Sequence, residues 1–137
     1  MICFLLISAT NALAEDRVIT VNINGQKLES PVPARIVNGR TVLPMRSIFE
    51  RLGATVSWIA EDRLIFATAD DTFIAMQIDN YTLSVQKTST NENQTLTLDV
   101  APFIDNGHTL VPVRAVAETL NARVDWDPVT YTVDIFK

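Results

Sequence analysis

Asn38-Gly39-Arg40-Thr41-Val42-Leu43-Pro44-Met45-Arg46 recurs as Asn106-Gly107-His108-Thr109-Leu110-Val111-Pro112-Val113-Arg114, 68 residues further on. The correspondence runs without a gap through Glu50 and Glu118, Leu52 and Leu120, Ala54 and Ala122, and Val56 and Val124, to Trp58 and Trp126. Ten of the 21 positions from 38 to 58 are identical, and five of the others exchange one apolar residue for another. Chance does not produce such a match, so the chain reads as two copies of one supersecondary unit. Two copies are too few for a solenoid and are expected to pack into one body.

Each copy has a physical reading. Asn-Gly between apolar-rich runs is the strongest short hairpin signal, because a type I′ turn needs positive φ at both central residues. Arg35-Ile36-Val37 is expected to pair with Arg40-Thr41-Val42, and Phe103-Ile104-Asp105 with His108-Thr109-Leu110. Pro44 and Pro112 are then expected to open helices, since the first helical position needs no N–H. Met45, Ile48, Phe49 and Leu52 make one apolar stripe, and Val113, Val116, Ala117 and Leu120 repeat it. Gly53 and Asn121 stand where a left-handed C-cap is wanted. Strands carrying Val56 and Trp58, or Val124 and Trp126, on one face follow. A turn then leads to a last strand over 64–67 or Thr132–Phe136.

The rest of the chain is also β-like. Residues 18–23 and 26–28 flank Asn24-Gly25, and 73–78 and 81–85 flank Asp79-Asn80, as two further hairpins. Residues 87–94 are polar and rich in Ser, Thr and Asn, and are expected to form a mobile loop, with Leu96 and Leu98 opening the strand into the second copy. The predicted architecture is α+β: antiparallel β hairpins and sheet with two short helices, built from a duplicated ββαββ unit. The copies span about 31–68 and 99–137 and are joined by a β-hairpin and the polar loop.

Residues 1–14 carry no charge, contain the apolar run Ile2–Ile7, and end in Ala12-Leu13-Ala14 before Glu15-Asp16. That is the layout of a cleaved secretory signal peptide. It leaves 15–137 as a single domain, exported and without cysteine, since Cys3 is the one cysteine. The leader is too short for a stable membrane span.

The net charge of −5 over 137 residues argues against a nucleic-acid partner. One His and one Cys cannot build a His-rich metal site or a disulfide scaffold. No nucleotide-binding, zinc or nucleophile-elbow motif occurs, and a lone His without a neighbouring nucleophile supports no triad. No enzyme activity and no cofactor are expected. The pairs Arg46/Glu50 and Arg114/Glu118 share a helix flank at i, i+4. Either they bind a carboxylate ligand, or they are ion pairs that also satisfy nearby strand carbonyls, and recurrence in both copies favours the second. Trp58 and Trp126 read as core residues in preference to sugar-stacking platforms. His108 reads as an exposed turn residue. Asp70/Asp71 and Asp125/Asp127 read as solvated turn residues in preference to a weak cation site.

The unit Asn-Gly-x-Thr-φ-φ-Pro-φ-Arg-x-φ-x-Glu-x-Leu, where φ is apolar, followed by Ala-x-Val-x-Trp, resembles the copper amine oxidase N-terminal-like, or stalk, domain of exported bacterial proteins. The resemblance rests on Asn38, Gly39, Pro44, Arg46, Glu50 and Trp58 and on Asn106, Gly107, Pro112, Arg114, Glu118 and Trp126. It departs from the family pattern at Asn121, where Gly is usual, and at His108, where Arg or Lys is usual. The resemblance implies an α+β module, secreted or wall-associated, in a Gram-positive bacterium. Its expected role is non-catalytic: binding, spacing or protein interaction at the cell surface. The alternative is a carbohydrate- or peptide-binding module of the cell wall. The resemblance implies no copper ligand or quinone residue here. The expected partner is a protein or a cell-wall glycan, and free strand edges allow a homodimer or strand exchange.

Overall fold

The computed structural model describes residues 17–137; the leader and its cleavage site lie outside the described residues. The described chain is mostly antiparallel sheet with two short helices, an α+β arrangement. Three sheets are present. A central four-stranded sheet joins two hairpins, β3 (Arg35–Val37) with β4 (Arg40–Pro44) and β10 (Phe103–Asp105) with β11 (His108–Pro112), in the order β10-β11-β4-β3. A five-stranded meander runs β5 (Thr55–Ile59), β6 (Leu64–Ala69), β7 (Thr72–Gln77), β8 (Thr82–Lys87) and β9 (Glu92–Thr97). The third sheet has the order β12-β13-β1-β2, from β12 (Arg123–Asp127), β13 (Thr132–Phe136), β1 (Thr20–Ile23) and β2 (Gln26–Lys27). Helices α1 (Met45–Arg51) and α2 (Val113–Thr119) follow the hairpins. The elements β3, β4, α1, β5 and β6 each begin 68 residues before β10, β11, α2, β12 and β13.

The Asn-Gly turns behave as their chemistry requires. Asn38 and Gly39 have φ of 49° and 74°, and Asn106 and Gly107 have 51° and 78°, so both central residues are left-handed. The hairpin registers are those expected, Arg35 opposite Val42 and Phe103 opposite Leu110.

The prolines do not open the helices. Pro44 (ψ 130°) and Pro112 (ψ 124°) are extended and end β4 and β11; the helices begin one residue later, at Met45 and Val113. The reason lies in the sheet. Leu110 pairs with Pro44 and Val42 with Pro112 across the centre. Proline can occupy such a pair because antiparallel pairs alternate, and it takes the one that needs no N–H.

Both helix stripes are buried: Met45, Ile48, Phe49 and Leu52 on α1, and Val113, Val116, Ala117 and Leu120 on α2. The helices lie side by side, and each also packs on the other hairpin's inner strand. Both end in Schellman caps. Gly53 N–H donates to the Glu50 carbonyl and Ala54 N–H to that of Phe49; Asn121 and Ala122 repeat this with Glu118 and Ala117. Gly53 (φ 86°) and Asn121 (φ 64°) supply the left-handed residue.

The main core runs from Ile19 to Ile135 and draws on all three sheets. A second, small core of Val42, Val100 and Leu110 fills the far side of the central sheet, with Val37 and Phe103 against it. Arg35 spans from β3 to β10, 2.9 Å from Asp105 and 5.3 Å from the Phe103 ring centre, so the sheet's two edges curl toward each other.

Two further expectations are corrected. Residues 87–94 do not form one loop, because only Thr88–Asn91 turn and Glu92–Gln94 belong to β9. That strand lies at a sheet edge with nearly every side chain exposed, so it lacks the alternation that marks a half-buried strand. It also contains Leu96, so only Leu98 lies beyond its end. The N-terminal hairpin forms at Asn24-Gly25, but β1 also pairs in parallel with β13, Thr20 opposite Thr132 through Ile23 opposite Ile135. No local signal in either strand announces a pairing of segments so far apart.

Candidate functional site

Two grooves open between the sheets, and their walls correspond. The first is lined by Ile36, Gly39, Arg40 and Thr41 of the first hairpin together with Pro112, Val113, Arg114, Ala115, Glu118 and Trp126. The second is lined by Ile104, Gly107, His108 and Thr109 of the second hairpin together with Pro44, Met45, Arg46, Ser47, Glu50 and Trp58. Every residue in one set lies 68 positions from its counterpart in the other. Each groove therefore takes its Arg, Glu and Trp from one hairpin–helix unit and its opposite wall from the other. Their volumes, about 780 and 830 Å³, fall within the range of small-molecule and peptide pockets, roughly 300–1,000 Å³.

The third walls differ. Groove one is closed by β8 and β9 through Val85, Lys87, Gln94 and Leu96. Groove two is closed by Lys27, Leu28, Glu29 and Pro31. This difference separates the two tryptophans. Trp58 is half-buried and packs on the main core, with Leu28 and Pro31 lining its groove. Trp126 is 36% exposed, its ring edge-on to Tyr131 at 5.1 Å. The expectation of a core role is corrected for Trp126: no described residue of the N-terminal segment lines groove one, and β8 and β9 stand there instead.

The arginines also differ. Arg46 and Arg114 each lie 3.4 Å from the glutamate one turn on, with all four side chains more than half exposed. Arg114 additionally donates Nη1 to the Val124 carbonyl of β12 at 3.1 Å. An exposed i, i+4 pair contributes about 0.3–0.5 kcal/mol, so the carbonyl bond is the stronger tie. At the other wall of groove one, Arg40 gives both Nε and Nη2 to a single oxygen of Asp99 at 2.7 Å.

His108 is half-buried on β11, not exposed, and lines groove two with Lys27, Leu28 and Pro31. Ser47 shares its groove. The side-chain hydrogen bonds of α1 run from Arg46 to Glu50 and from Arg51 to Gln26 and engage neither residue.

Asp70, Asp71 and Asp127 build turns, but Asp125 is not a turn residue: it lies within β12, opposite Asp134. Asp127 Oδ1 accepts from the N–H groups of Val129 (2.9 Å) and Thr130 (3.3 Å). The Thr130 and Val129 amides hold its carboxyl below the usual carboxylate range. Asp71 accepts a short hydrogen bond from the Ser89 hydroxyl. That bond, with Lys87 nearby, lowers its pKa as well. Asp125 lies 3.3 Å from Arg123, and Asp70 sits in a left-handed turn (φ 52°).

Among the described residues, no group of three or more His, Cys, Asp or Glu could hold a metal ion, and no helix is long and apolar enough to cross a membrane. Copper favours imidazole and thiolate donors, and His108 is the sole such donor there, so the described residues do not fit a copper centre. Sequence reasoning missed Ile36, Lys87, Leu96 and Asp99 as groove residues. Ile36 had a signal, an apolar residue on a short exposed hairpin that recurs as Ile104.

The fold and its paired grooves define an α+β module, with no recognisable catalytic constellation among the described residues. Residues 22–135 match the model of the copper amine oxidase N-terminal domain, and the chain belongs to that family, whose N-terminal domain is a non-catalytic module. A similar protein from Brevibacillus choshinensis, described as a protease inhibitor, is 29% identical over 122 residues. The match covers 88% of this chain but 34% of that protein, so the chain spans about a third of its relative's length.

Proposed function

We propose that the chain is a non-catalytic interaction module, secreted or held at the cell surface of a Gram-positive bacterium, in which two copies of a ββαββ unit form one domain and groove one is the binding site. The observation that carries this is Trp126. A large aromatic left 36% exposed in a groove with an apolar floor and flanking Arg and Glu side chains is a binding feature, whereas its counterpart Trp58 packs on the core. The leader-like residues 1–14 support export. The relative described as a protease inhibitor favours a protein or peptide partner over a mere spacing role.

A second reading, a cell-wall carbohydrate, is favoured by the same indole, since sugar rings stack on exposed tryptophan faces. Titration of the purified chain with a peptide library and with wall oligosaccharides, followed by tryptophan fluorescence, separates the two. Saturable binding lost in Trp126→Ala supports groove one. Absence of saturable binding to either class overturns it in favour of a spacer.

A further inference from the structure

The geometry points to the free edge of β9 as a strand-docking site, where an extended segment of a partner protein adds to the five-stranded sheet and sends alternate side chains into groove one. This rests on the interaction-module reading and names the partner's form.

The hydrogen-bond pattern fixes which groups are on offer. Leu98 N–H donates to the Tyr81 carbonyl, and the β8–β9 register continues that ladder through Leu83–Leu96 and Val85–Gln94. Antiparallel pairs alternate, so Leu96 and Gln94 turn their N–H and C=O toward β8, while Asn93, Thr95 and Thr97 turn theirs away from the sheet. β9 is the terminal strand in the sheet order, and no strand among the described residues pairs with that side.

Other edges are blunted in the ways that prevent strand addition. β12 carries Arg123, Asp125 and Asp127; β2 has two residues, and β3 and β10 have three each. β5 is shorter, and its Trp58 is already packed on the core. β9 offers six continuous pairs with β8, no proline and one charge, Glu92, at its start.

Side-chain direction links this edge to the groove. Gln94 and Leu96 both line groove one, so the matching side chains of an added strand point the same way, toward Trp126. The groove carries Arg40, Lys87 and Arg114 against Asp99 and Glu118, an excess of one positive charge in a chain of net charge −5. Lys87 Nζ bonds the Thr72 hydroxyl at 2.8 Å and, among the described residues, no carboxylate directly; Asp71, next to Thr72 and outside the groove lining, lies near enough to feel its charge. The complementary segment therefore has apolar residues at alternate positions and a carboxylate among them. A second copy is a poorer occupant, because two chains of net charge −5 repel.

The test pans phage-displayed random peptides against the purified chain and titrates the enriched peptides by calorimetry. Thr95→Pro removes an outward N–H and leaves the inward ladder intact, a position where an edge strand tolerates proline. The enriched peptides are expected to lose about tenfold or more in affinity for Thr95→Pro and to bind Thr95→Val unchanged. Should Thr95→Pro unfold, amide exchange in the wild-type chain decides: added peptide is expected to slow Asn93, Thr95 and Thr97. Peptides that bind Thr95→Pro as tightly as wild type but fail on Trp126→Ala overturn strand addition and leave the groove reading standing. No enrichment overturns strand addition and leaves groove one to be decided by the oligosaccharide titration. A wild-type dimer that Thr95→Pro dissolves assigns the edge to a second copy and overturns the partner-segment proposal.

Discussion

Leu43 and Val111 stand opposite each other at the centre of the central sheet, and each is the other's counterpart 68 residues away. The flanking pairs, Val42 with Pro112 and Pro44 with Leu110, exchange roles about them, so a local twofold axis passes through the Leu43–Val111 pair. Since neither proline can donate, the flanking pairs are non-hydrogen-bonded and Leu43 and Val111 exchange both bonds. They are 1% and 0% exposed.

Leu43→Ala therefore opens a cavity where the two halves meet. It is expected to lower stability by about 2–5 kcal/mol in urea denaturation. Ile36→Ala, on the same hairpin but 42% exposed, is expected to stay within about 0.5 kcal/mol.

Arg114 and Arg46 make the same ion pair, but only Arg114 is also tied to a strand carbonyl. Arg114→Ala is expected to destabilise more than Arg46→Ala, by about 0.5–1.5 kcal/mol. Equal losses in thermal unfolding would mean that the bond to Val124 contributes nothing.

The helix caps make an asymmetric pair of tests. Gly53→Ala forces a Cβ into a left-handed residue and is expected to cost about 1–2 kcal/mol, although no neighbouring atom lies within 4 Å of that Cβ. Asn121→Gly relieves the same conformation and is expected to be neutral or slightly stabilising. Calorimetric melting temperatures of the two variants should move in different directions or by clearly different amounts.

Asp127 carries a pH prediction. The Thr130 and Val129 amides lower its folded pKa below the unfolded value. The stability it adds is thus complete above the unfolded pKa, about 3.9, and is lost as pH falls through the folded pKa. Wild-type melting temperature is expected to drop as pH falls below about 4, and Asp127→Asn to flatten part of that drop. An unchanged slope in the variant would remove Asp127 from the acid response.

The hairpins, helix stripes and caps were legible because each rests on local chemistry: Asn-Gly turns, the 3.6-residue period, and Gly53 and Asn121 after the helices. The start of the helices was misread by one residue, since Pro44 and Pro112 suit a helix's first position and also a sheet pair that needs no N–H. β9 was misread because an edge strand exposed on both faces carries no alternation. The β1–β13 pairing and the grooves depend on contacts across the whole chain. Trp58 and Trp126 look alike in sequence and differ only in what lies across from them.

The most direct measurement of whether groove one is the interaction site compares peptide or glycan affinity for wild type, Trp126→Ala and Trp58→Ala under one set of conditions. Binding through groove one predicts a loss of about tenfold or more for Trp126→Ala and little change for Trp58→Ala. Unchanged binding by Trp126→Ala, or an equal loss in both variants, would contradict it.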